Sequence, residues 1–225
     1  MVEKLTEKQK EFLRLIEKYD LCFLTGAAGT GKTYAACLAA IEFLERKKVE
    51  KLVISRPLVT TEEVGILPGS LGEKIEPFMD PIIGILQEVY SKQLINKMLS
   101  QGQIEVVPLA FMRGRTFKNS FVILDEAQNT TRTQISMFLT RFGMYSKGCV
   151  IGDLKQSDLP RPEENGLKWA KDRLEPSKLV TSIHFDSTQV VRSPLVKEVM
   201  KYLYAEETSN SPKISTISVG KTARA

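Results

Sequence analysis

Residues 26–33 read Gly-Ala-Ala-Gly-Thr-Gly-Lys-Thr and match the pattern GxxxxGK(S/T). An apolar run at 21–25 precedes them and a helical run at 34–44 follows, so the pattern joins a predicted strand to a predicted helix. Glycines let the backbone wrap tightly, so that successive N–H groups and the positive end of the helix point at an anion. The order predicts a phosphate-binding loop. A glycine-rich turn before an ordinary helix would not require the Lys-Thr pair.

The two side chains that end this loop have separate predicted roles. Lys32 is expected to reach the β- and γ-phosphates of a nucleotide, and the Thr33 hydroxyl is expected to ligate Mg²⁺. The predicted nucleotide-binding residues of the loop are Gly26, Ala27, Ala28, Gly29, Thr30, Gly31, Lys32 and Thr33.

A second informative segment is the apolar run 121–124, Phe-Val-Ile-Leu, which ends in Asp125 and Glu126. Buried parallel strands have this composition, and ligands bind at the carboxyl ends of such strands. Asp125 is predicted to hold the hydrated Mg²⁺, and Glu126 to orient and deprotonate an attacking water. Alone, the pair reads equally as an exposed strand end. With the phosphate loop it favours a hydrolase over a kinase or a simple binder.

Composition limits the class of protein. The 225 residues are 42% hydrophobic and 26% charged, which suits one compact domain with a substantial core. No apolar stretch approaches the roughly 20 residues of a membrane span, and the N-terminus lacks a signal-peptide core, so we expect a soluble cytoplasmic protein. The three cysteines show no pairing motif, and the only histidine, His184, reads as a packed or edge imidazole.

The net charge of +5 is partly a property of the C-terminal tail. Lys213, Lys221 and Arg224 lie in an acid-free segment from residue 210 onward, and without them the net charge is +2. The charge is therefore weak support for a basic groove on the folded part. We expect an ATPase domain over 1–205 and a flexible tail over 206–225.

Strands and helices alternate along the chain, which predicts an α/β fold: a mainly parallel sheet with helices on both faces. Further strands are predicted at 51–55, 104–107, 148–151 and 181–185. Helices are predicted at 6–19 with Thr6 as N-cap, at 73–101 with breaks near Pro77 and Pro81, and at 131–142, 163–174 and 194–204.

Residues 152–156, Gly-Asp-Leu-Lys-Gln, follow one of these core strands. A glutamine there, Gln156, is placed to contact both the γ-phosphate and the attacking water. The order of phosphate loop, Asp-Glu strand and Gly-Asp-x-x-Gln resembles the RecA-like core of superfamily 1 helicases. That resemblance implies adenine recognition by Gln9, seventeen residues before Gly26. The alternative is that Gln9 belongs to a solvated helix surface.

Several longer strings resemble the PhoH-type ATPases over about residues 5–204. They are TGAAGTGKT, SRPLV, GILPGSLGEKIEPFMDPI, IEVVPLAFMRGRTF, FVILDEAQNTT, GDLKQSDLPR and VVRSPLV. The resemblance implies a single RecA-like P-loop ATPase domain that uses ATP and Mg²⁺, with a link to RNA or single-stranded DNA. The chain begins almost directly at this core, which is similar to the short form seen in phages.

Four arginines are candidates for contacts with phosphate, nucleic acid or another subunit. Arg192, in the string VVR, is the preferred arginine finger. Arg56 follows a core strand at the ligand-binding edge and is a candidate for phosphate or nucleic acid. Arg113 and Arg115 flank Gly114 and are candidates for a phosphate backbone or a neighbouring subunit. For each arginine, a structural salt bridge or plain solvation is the alternative.

Superfamily 1 helicases close their ATP site between two RecA-like domains, whereas this chain has the length for one. We therefore hypothesise a homo-oligomeric ring, as a hexamer, with loops 57–72 or 109–117 facing a central channel. Three functions follow from the residues. The first is an ATPase that acts on RNA or single-stranded DNA. The second is a nucleotide-dependent interaction or assembly module, and the third is a small-molecule kinase.

Overall fold

The computed structural model describes residues 5–57, 80–161 and 165–186, together with positions 195 and 198. The chain divides into two compact units, residues 1–190 and 191–225. In the second only positions 195 and 198 are described, and both are helical. The boundary at 205/206 stays a prediction. Arg192, Pro77 and loop residues 58–72 lie outside the described part.

Strands and helices alternate in the first unit. The strands are β1 (Leu21–Gly26), β2 (Lys51–Ser55), β3 (Ile104–Val106), β4 (Ser120–Leu124), β5 (Lys147–Gly152) and β6 (Val180–Phe185). The described helices are α1 (Glu7–Lys18), α2 (Lys32–Glu45), α3 (80–87), α4 (Lys92–Ser100), α5 (Arg132–Leu139) and α6 (Gly166–Leu174). Two short 3₁₀ turns cover Leu109–Met112 and Ala127–Asn129.

The six strands form one sheet in the order β3-β2-β4-β5-β1-β6, and every pairing is parallel. Strand β5 lies between β1 and β4. The segments that leave these three strands therefore meet at the same edge of the sheet, with the one after β5 in the middle.

Both faces of the sheet are covered by helices, as predicted. In β1, Cys22 and Leu24 face a core formed with α1, α2, α3 and α4. Leu21 and Phe23 face a second core formed with α5, α6 and the turn Leu109–Met112. This alternation follows from the two-residue period of a strand.

Helix α1 is fixed at both ends. Thr6 is its N-cap, as predicted, and forms a capping box with Gln9. At the other end, Nζ of Lys147 donates hydrogen bonds to the carbonyls of Ile16, Glu17 and Tyr19, at 3.3, 3.3 and 2.8 Å. Because Lys147 is the first residue of β5, this contact ties the helix to the centre of the sheet.

One predicted helix boundary was wrong, and one predicted break lies at the limit of the described residues. Helix α3 is described only from residue 80, so the predicted break near Pro81 stays a prediction. A further break, which was not predicted, falls at 88–91, where the Ser91 hydroxyl accepts a bond from Leu94 N and starts α4. Helix α5 ends at Leu139 rather than at residue 142. The chain after it pairs with the segment before β4, since Gly143 N donates to Phe117 O at 2.6 Å.

Candidate nucleotide-binding site

The predicted phosphate loop connects β1 to α2. Gly29 and Gly31 have left-handed φ values of 77° and 80°, and Gly26 has a φ of 141°. A Cβ atom on Gly26 would collide with the carbonyl oxygen of Phe185 in β6. The Thr30 hydroxyl donates to Ala27 O at 2.9 Å inside the loop. The glycine pattern thus reflects a backbone path that other residues adopt only with strain.

Lys32 lies on the inner side of this loop and is 8% exposed. Its Nζ donates to the carbonyls of Gly26 and Ala27, both at 2.7 Å. Burial lowers the pKa of the Lys32 ammonium, and the carboxylates of Asp153, Glu126 and Asp125 oppose this effect. The buried cation of the loop therefore faces three acids.

The two predicted metal ligands meet across the edge of the sheet. The Thr33 hydroxyl, in the first turn of α2, donates to Oδ1 of Asp125 at 3.0 Å. Asp125 directly follows β4 and is 1% exposed. A hydroxyl and a carboxylate are oxygen ligands of the kind that Mg²⁺ prefers. The residues present therefore fit a magnesium ion.

Arg56 lies beside the same carboxylate. It follows β2, the neighbour of β4, and its Nε and Nη2 donate to Oδ2 of Asp125 at 3.0 and 2.5 Å. The sequence left open whether Arg56 contacts phosphate or nucleic acid or forms a structural salt bridge. The structure shows the salt bridge. The guanidinium neutralises a carboxylate that would otherwise be a buried, uncompensated charge.

Glu126 occupies an unusual backbone conformation. Its φ is 56°, in the left-handed region that non-glycine residues rarely adopt, and its side chain is exposed. The 3₁₀ turn Ala127–Asn129 begins directly after it. In that turn, Nε2 of Gln128 donates to Oε2 of Glu126 at 2.6 Å. The predicted base is thus exposed and held by a neighbouring amide.

The segment that follows β5 carries Asp153 and Gln156. Asp153 is 8% exposed, and its backbone N–H donates to Oε1 of Gln128 at 3.2 Å. Gln156 is exposed on the same loop. The loop is fastened to the turn after β4, because Asn129 and Asp158 exchange two hydrogen bonds of 2.9 Å. The predicted contact of Gln156 with a γ-phosphate stays a prediction.

Gln9 is 3% exposed, so the alternative that it belongs to a solvated surface is wrong. Its Nε2 donates to Gly31 O at 3.3 Å and its Oε1 accepts from Thr6 N at 2.9 Å. The side chain therefore joins helix α1 to the phosphate loop. Adenine recognition by Gln9 stays a prediction.

Arg113 and Arg115 have different environments. Arg115 forms a salt bridge with Glu105 and lies over the ring of Phe117, with 4.8 Å between the guanidinium carbon and the ring centroid. Arg113 is exposed. The salt-bridge alternative therefore applies to Arg115, whereas the Arg113 side chain is exposed to solvent.

Two residues of the site were not predicted, Asp153 and Gln128. Asp153 follows a buried strand just as Asp125 does, so the rule that selected Asp125 could have selected it. Gln128 gave no such signal, because its position depends on the 3₁₀ turn after Glu126.

The comparisons with known proteins agree with this geometry. The family described as PhoH-like protein matches residues 1–204. The chain belongs to the PhoH-like family. A PhoH-like protein of Synechocystis sp. is 40% identical over 213 residues, which is 94% of this chain and 65% of the relative. One from Bacillus subtilis is 42% identical over 197 residues, or 87% of this chain and 62% of the relative. The chain thus spans less than two thirds of the length of these curated relatives.

Among solved structures, the large terminase of a thermophilic bacteriophage is similar in fold. The match has a TM-score of 0.54 and 13% identity, and it covers 88% of this chain and 50% of the terminase. The predicted RecA-like α/β fold is confirmed, and this PhoH-like chain has the fold of a P-loop NTPase core. Within the described ranges, no helix is long and apolar enough to cross a membrane.

Proposed function

We propose that this PhoH-like chain is a Mg²⁺-dependent ATPase that acts on RNA or single-stranded DNA. One observation carries the enzymatic part of the proposal. The Thr33 hydroxyl of the phosphate loop hydrogen-bonds Asp125 at 3.0 Å, and an exposed acid, Glu126, follows directly. We infer from this arrangement that phosphate binding, metal binding and a base for water lie in one place.

The phosphates of ATP are bound by the loop amides and by Lys32. In the structure the Lys32 ammonium donates to two loop carbonyls, and it exchanges these acceptors for phosphate oxygens when the nucleotide binds. The exchange is favourable because a triphosphate places more negative charge beside the ammonium than two carbonyl dipoles do. The bond from Gln9 to Gly31 sets the position of the loop relative to α1. We assign adenine recognition to Gln9.

Magnesium would be held by Thr33 and, through water or directly, by Asp125. When bound, it supplies positive charge to the β- and γ-phosphate oxygens. Glu126 orients the attacking water and accepts its proton, for which an exposed carboxylate at the edge of the site is suited. Gln156 senses the γ-phosphate from the loop after β5, and Arg192 supplies the arginine finger.

The nucleic-acid part of the proposal rests on the segment 109–117. Phe111 is 49% exposed although it is a large aromatic residue, and Arg113 is exposed two positions later. An exposed ring can stack on any of the bases, and a nearby arginine can pair with the phosphate backbone. We propose that the same segment faces the channel of a hexameric ring.

The test of the ATPase is turnover measured with Lys32→Ala and Glu126→Gln, each with and without RNA, single-stranded DNA and duplex. Lys32→Ala is expected to lose nucleotide affinity, and Glu126→Gln to retain bound ATP with at least about a hundredfold lower turnover. Lys168→Ala, on the exposed surface of α6, is the control. If Glu126→Gln hydrolyses ATP at the parental rate, Glu126 is not the base. Tight binding without turnover in the parent would favour the nucleotide-dependent interaction module.

The ring is tested by mixing inactive variants. A mixture of Arg192→Ala and Lys32→Ala subunits regains activity if the finger acts on a neighbouring protomer, because the first supplies an intact phosphate loop and the second supplies Arg192. No rescue favours a finger within one chain. A species that stays monomeric in sedimentation with ATP and Mg²⁺, while hydrolysing at the full rate, refutes the ring.

A further inference from the structure

Gln128 connects two parts of the site that come from different strands. It lies in the turn Ala127–Asn129 after β4 and is 7% exposed. Its Nε2 donates to the Glu126 carboxylate at 2.6 Å, and its Oε1 accepts from the backbone N–H of Asp153 at 3.2 Å. One amide therefore links the proposed base to the loop after β5.

The chemistry of the two contacts requires an amide in this orientation. A carboxylate only accepts hydrogen bonds and a backbone N–H only donates them. Glutamine offers a donor to Glu126 and an acceptor to Asp153 at the same time. A glutamate would present an acceptor to Glu126, and a methionine of similar size would satisfy neither partner.

The surroundings leave little room for this amide to move. A Cβ atom on Gly152 would lie 2.7 Å from Oε1 of Gln128 and 3.0 Å from its backbone nitrogen. The Gln128 carbonyl accepts bonds from the Ser157 hydroxyl at 2.9 Å and from the Asn165 amide at 3.3 Å. Both side chain and backbone of Gln128 are thus fastened to the chain that follows β5.

We propose that Gln128 is a positioning residue that couples the Glu126 carboxylate to the loop 153–158. The inference rests on the proposed function, because it assigns Gln128 a role toward the proposed base. Glu126 is exposed and has many rotamers available. The bond from Gln128 selects one of them, and a displacement of the loop is passed to the carboxylate through Asp153. Gln128 itself touches neither phosphate nor water in this role.

The activity test compares Gln128→Met with Gln134→Met. Gln134 is exposed in the capping box of α5 and serves as the control of the same residue type. Gln128→Met is expected to lower kcat by about 10- to 100-fold while the nucleotide Kd changes less than about threefold. Gly152→Ala places a Cβ atom against the same amide and against Leu167 of α6, and it should also lower kcat more than it changes the nucleotide Kd. Parental kcat in Gln128→Met overturns the proposal. A loss of kcat that is accompanied by a similar fold loss of nucleotide affinity and by a lower Tm also overturns it, because it indicates general damage to the fold.

Hydrogen exchange provides a readout that does not need turnover. The Asp153 amide is expected to exchange at least about tenfold faster in Gln128→Met than in Gln134→Met, since its acceptor is removed. Unchanged protection of Asp153 overturns the coupling. If the parent does not hydrolyse ATP but Asp153 loses protection in Gln128→Met, the coupling is supported while the proposed reaction fails.

Discussion

Arg56 and Asp125 form an ion pair at the carboxyl ends of neighbouring strands, with Nε and Nη2 of the arginine 3.0 and 2.5 Å from one carboxylate oxygen. The Asp125 side chain is 2% exposed and that of Arg56 is 19% exposed. The other oxygen accepts the bond from Thr33. Arg56 therefore places a positive charge beside the carboxylate that is proposed to bind magnesium.

Replacing Arg56 by methionine should destabilise the protein and increase its response to magnesium. The change removes the ion-pair partner of a buried carboxylate, which costs about 2 to 4 kcal/mol after allowance for the partial exposure of Arg56. A magnesium ion at Asp125 would replace part of that charge. Thermal unfolding with 0 and about 10 mM Mg²⁺ should therefore show a larger shift for Arg56→Met than for the parent.

Arg46→Met is the matched control for this prediction. Arg46 is 53% exposed and pairs with Glu42 and Glu17 on the surface. Its loss should change the free energy of unfolding by no more than about 1 kcal/mol, with no added response to Mg²⁺. Equal destabilisation by the two variants would contradict the role assigned to the Arg56–Asp125 pair.

Thr33 provides a direct test of magnesium binding. Thr33→Val keeps the shape of the side chain but removes the hydroxyl, whereas Thr33→Ser keeps the hydroxyl. We expect Thr33→Val to raise the Mg²⁺ concentration for half-maximal turnover at least about tenfold, and Thr33→Ser to stay within about threefold of the parent. Chelation of Mg²⁺ with EDTA should abolish turnover in all three. Similar magnesium curves for the valine and serine variants would exclude Thr33 as a ligand.

The sequence was sufficient for the parts of the site that are continuous in the chain. The phosphate loop lies between a strand and a helix, and Asp125 follows an apolar run, so local pattern and sheet topology together predict that they converge. The Thr33–Asp125 contact is the structural counterpart of that prediction. The parallel sheet and the helices on both faces follow from the same alternation of elements.

The remaining contacts depend on facts that a local pattern does not contain. The partner of Arg115 is Glu105 on β3, and the environment of Gln9 is the phosphate loop 22 residues later. Gln128 meets Asp153 only because β5 pairs with β4 and because Glu126 turns the chain with a φ of 56°. Strand order and a single left-handed residue are tertiary properties, and helix periodicity gives no signal for them.

The three cysteines should be unreactive in the folded protein. All are fully buried, and burial raises the pKa of Cys22 and Cys37 to about 12 and that of Cys149 well above its usual value. At pH 8 a thiol of pKa about 12 is about one part in ten thousand thiolate, the reactive form. Ellman's reagent should label close to none of them in the native state and all three in guanidinium.

The same shifts predict how stability changes with pH. The folded pKa values of these thiols lie above the unfolded value near 9, so the unfolded state loses its thiol protons first as pH rises. Their contribution to stability is complete below pH 9 and declines from there to about pH 12. Rapid native labelling at pH 8, within the dead time of mixing, would contradict both expectations.

Lys147 should contribute more to stability than an ordinary surface lysine, because its ammonium caps the end of α1. Nζ donates to three carbonyls of that helix end and lies 3.2 Å from Oδ1 of Asp20. Lys147→Met keeps the aliphatic stem and removes these bonds, which should lower the free energy of unfolding by about 1 to 3 kcal/mol.

The control is Lys168→Met, which breaks an exposed pair with Asp172 and should cost at most about 0.5 kcal/mol. Urea titrations of both variants in low and high salt decide the matter. Salt screens the Lys168 pair but has a smaller effect on short bonds to carbonyls, so a Lys147 effect that disappears in about 1 M salt would show that the cap is only a surface charge.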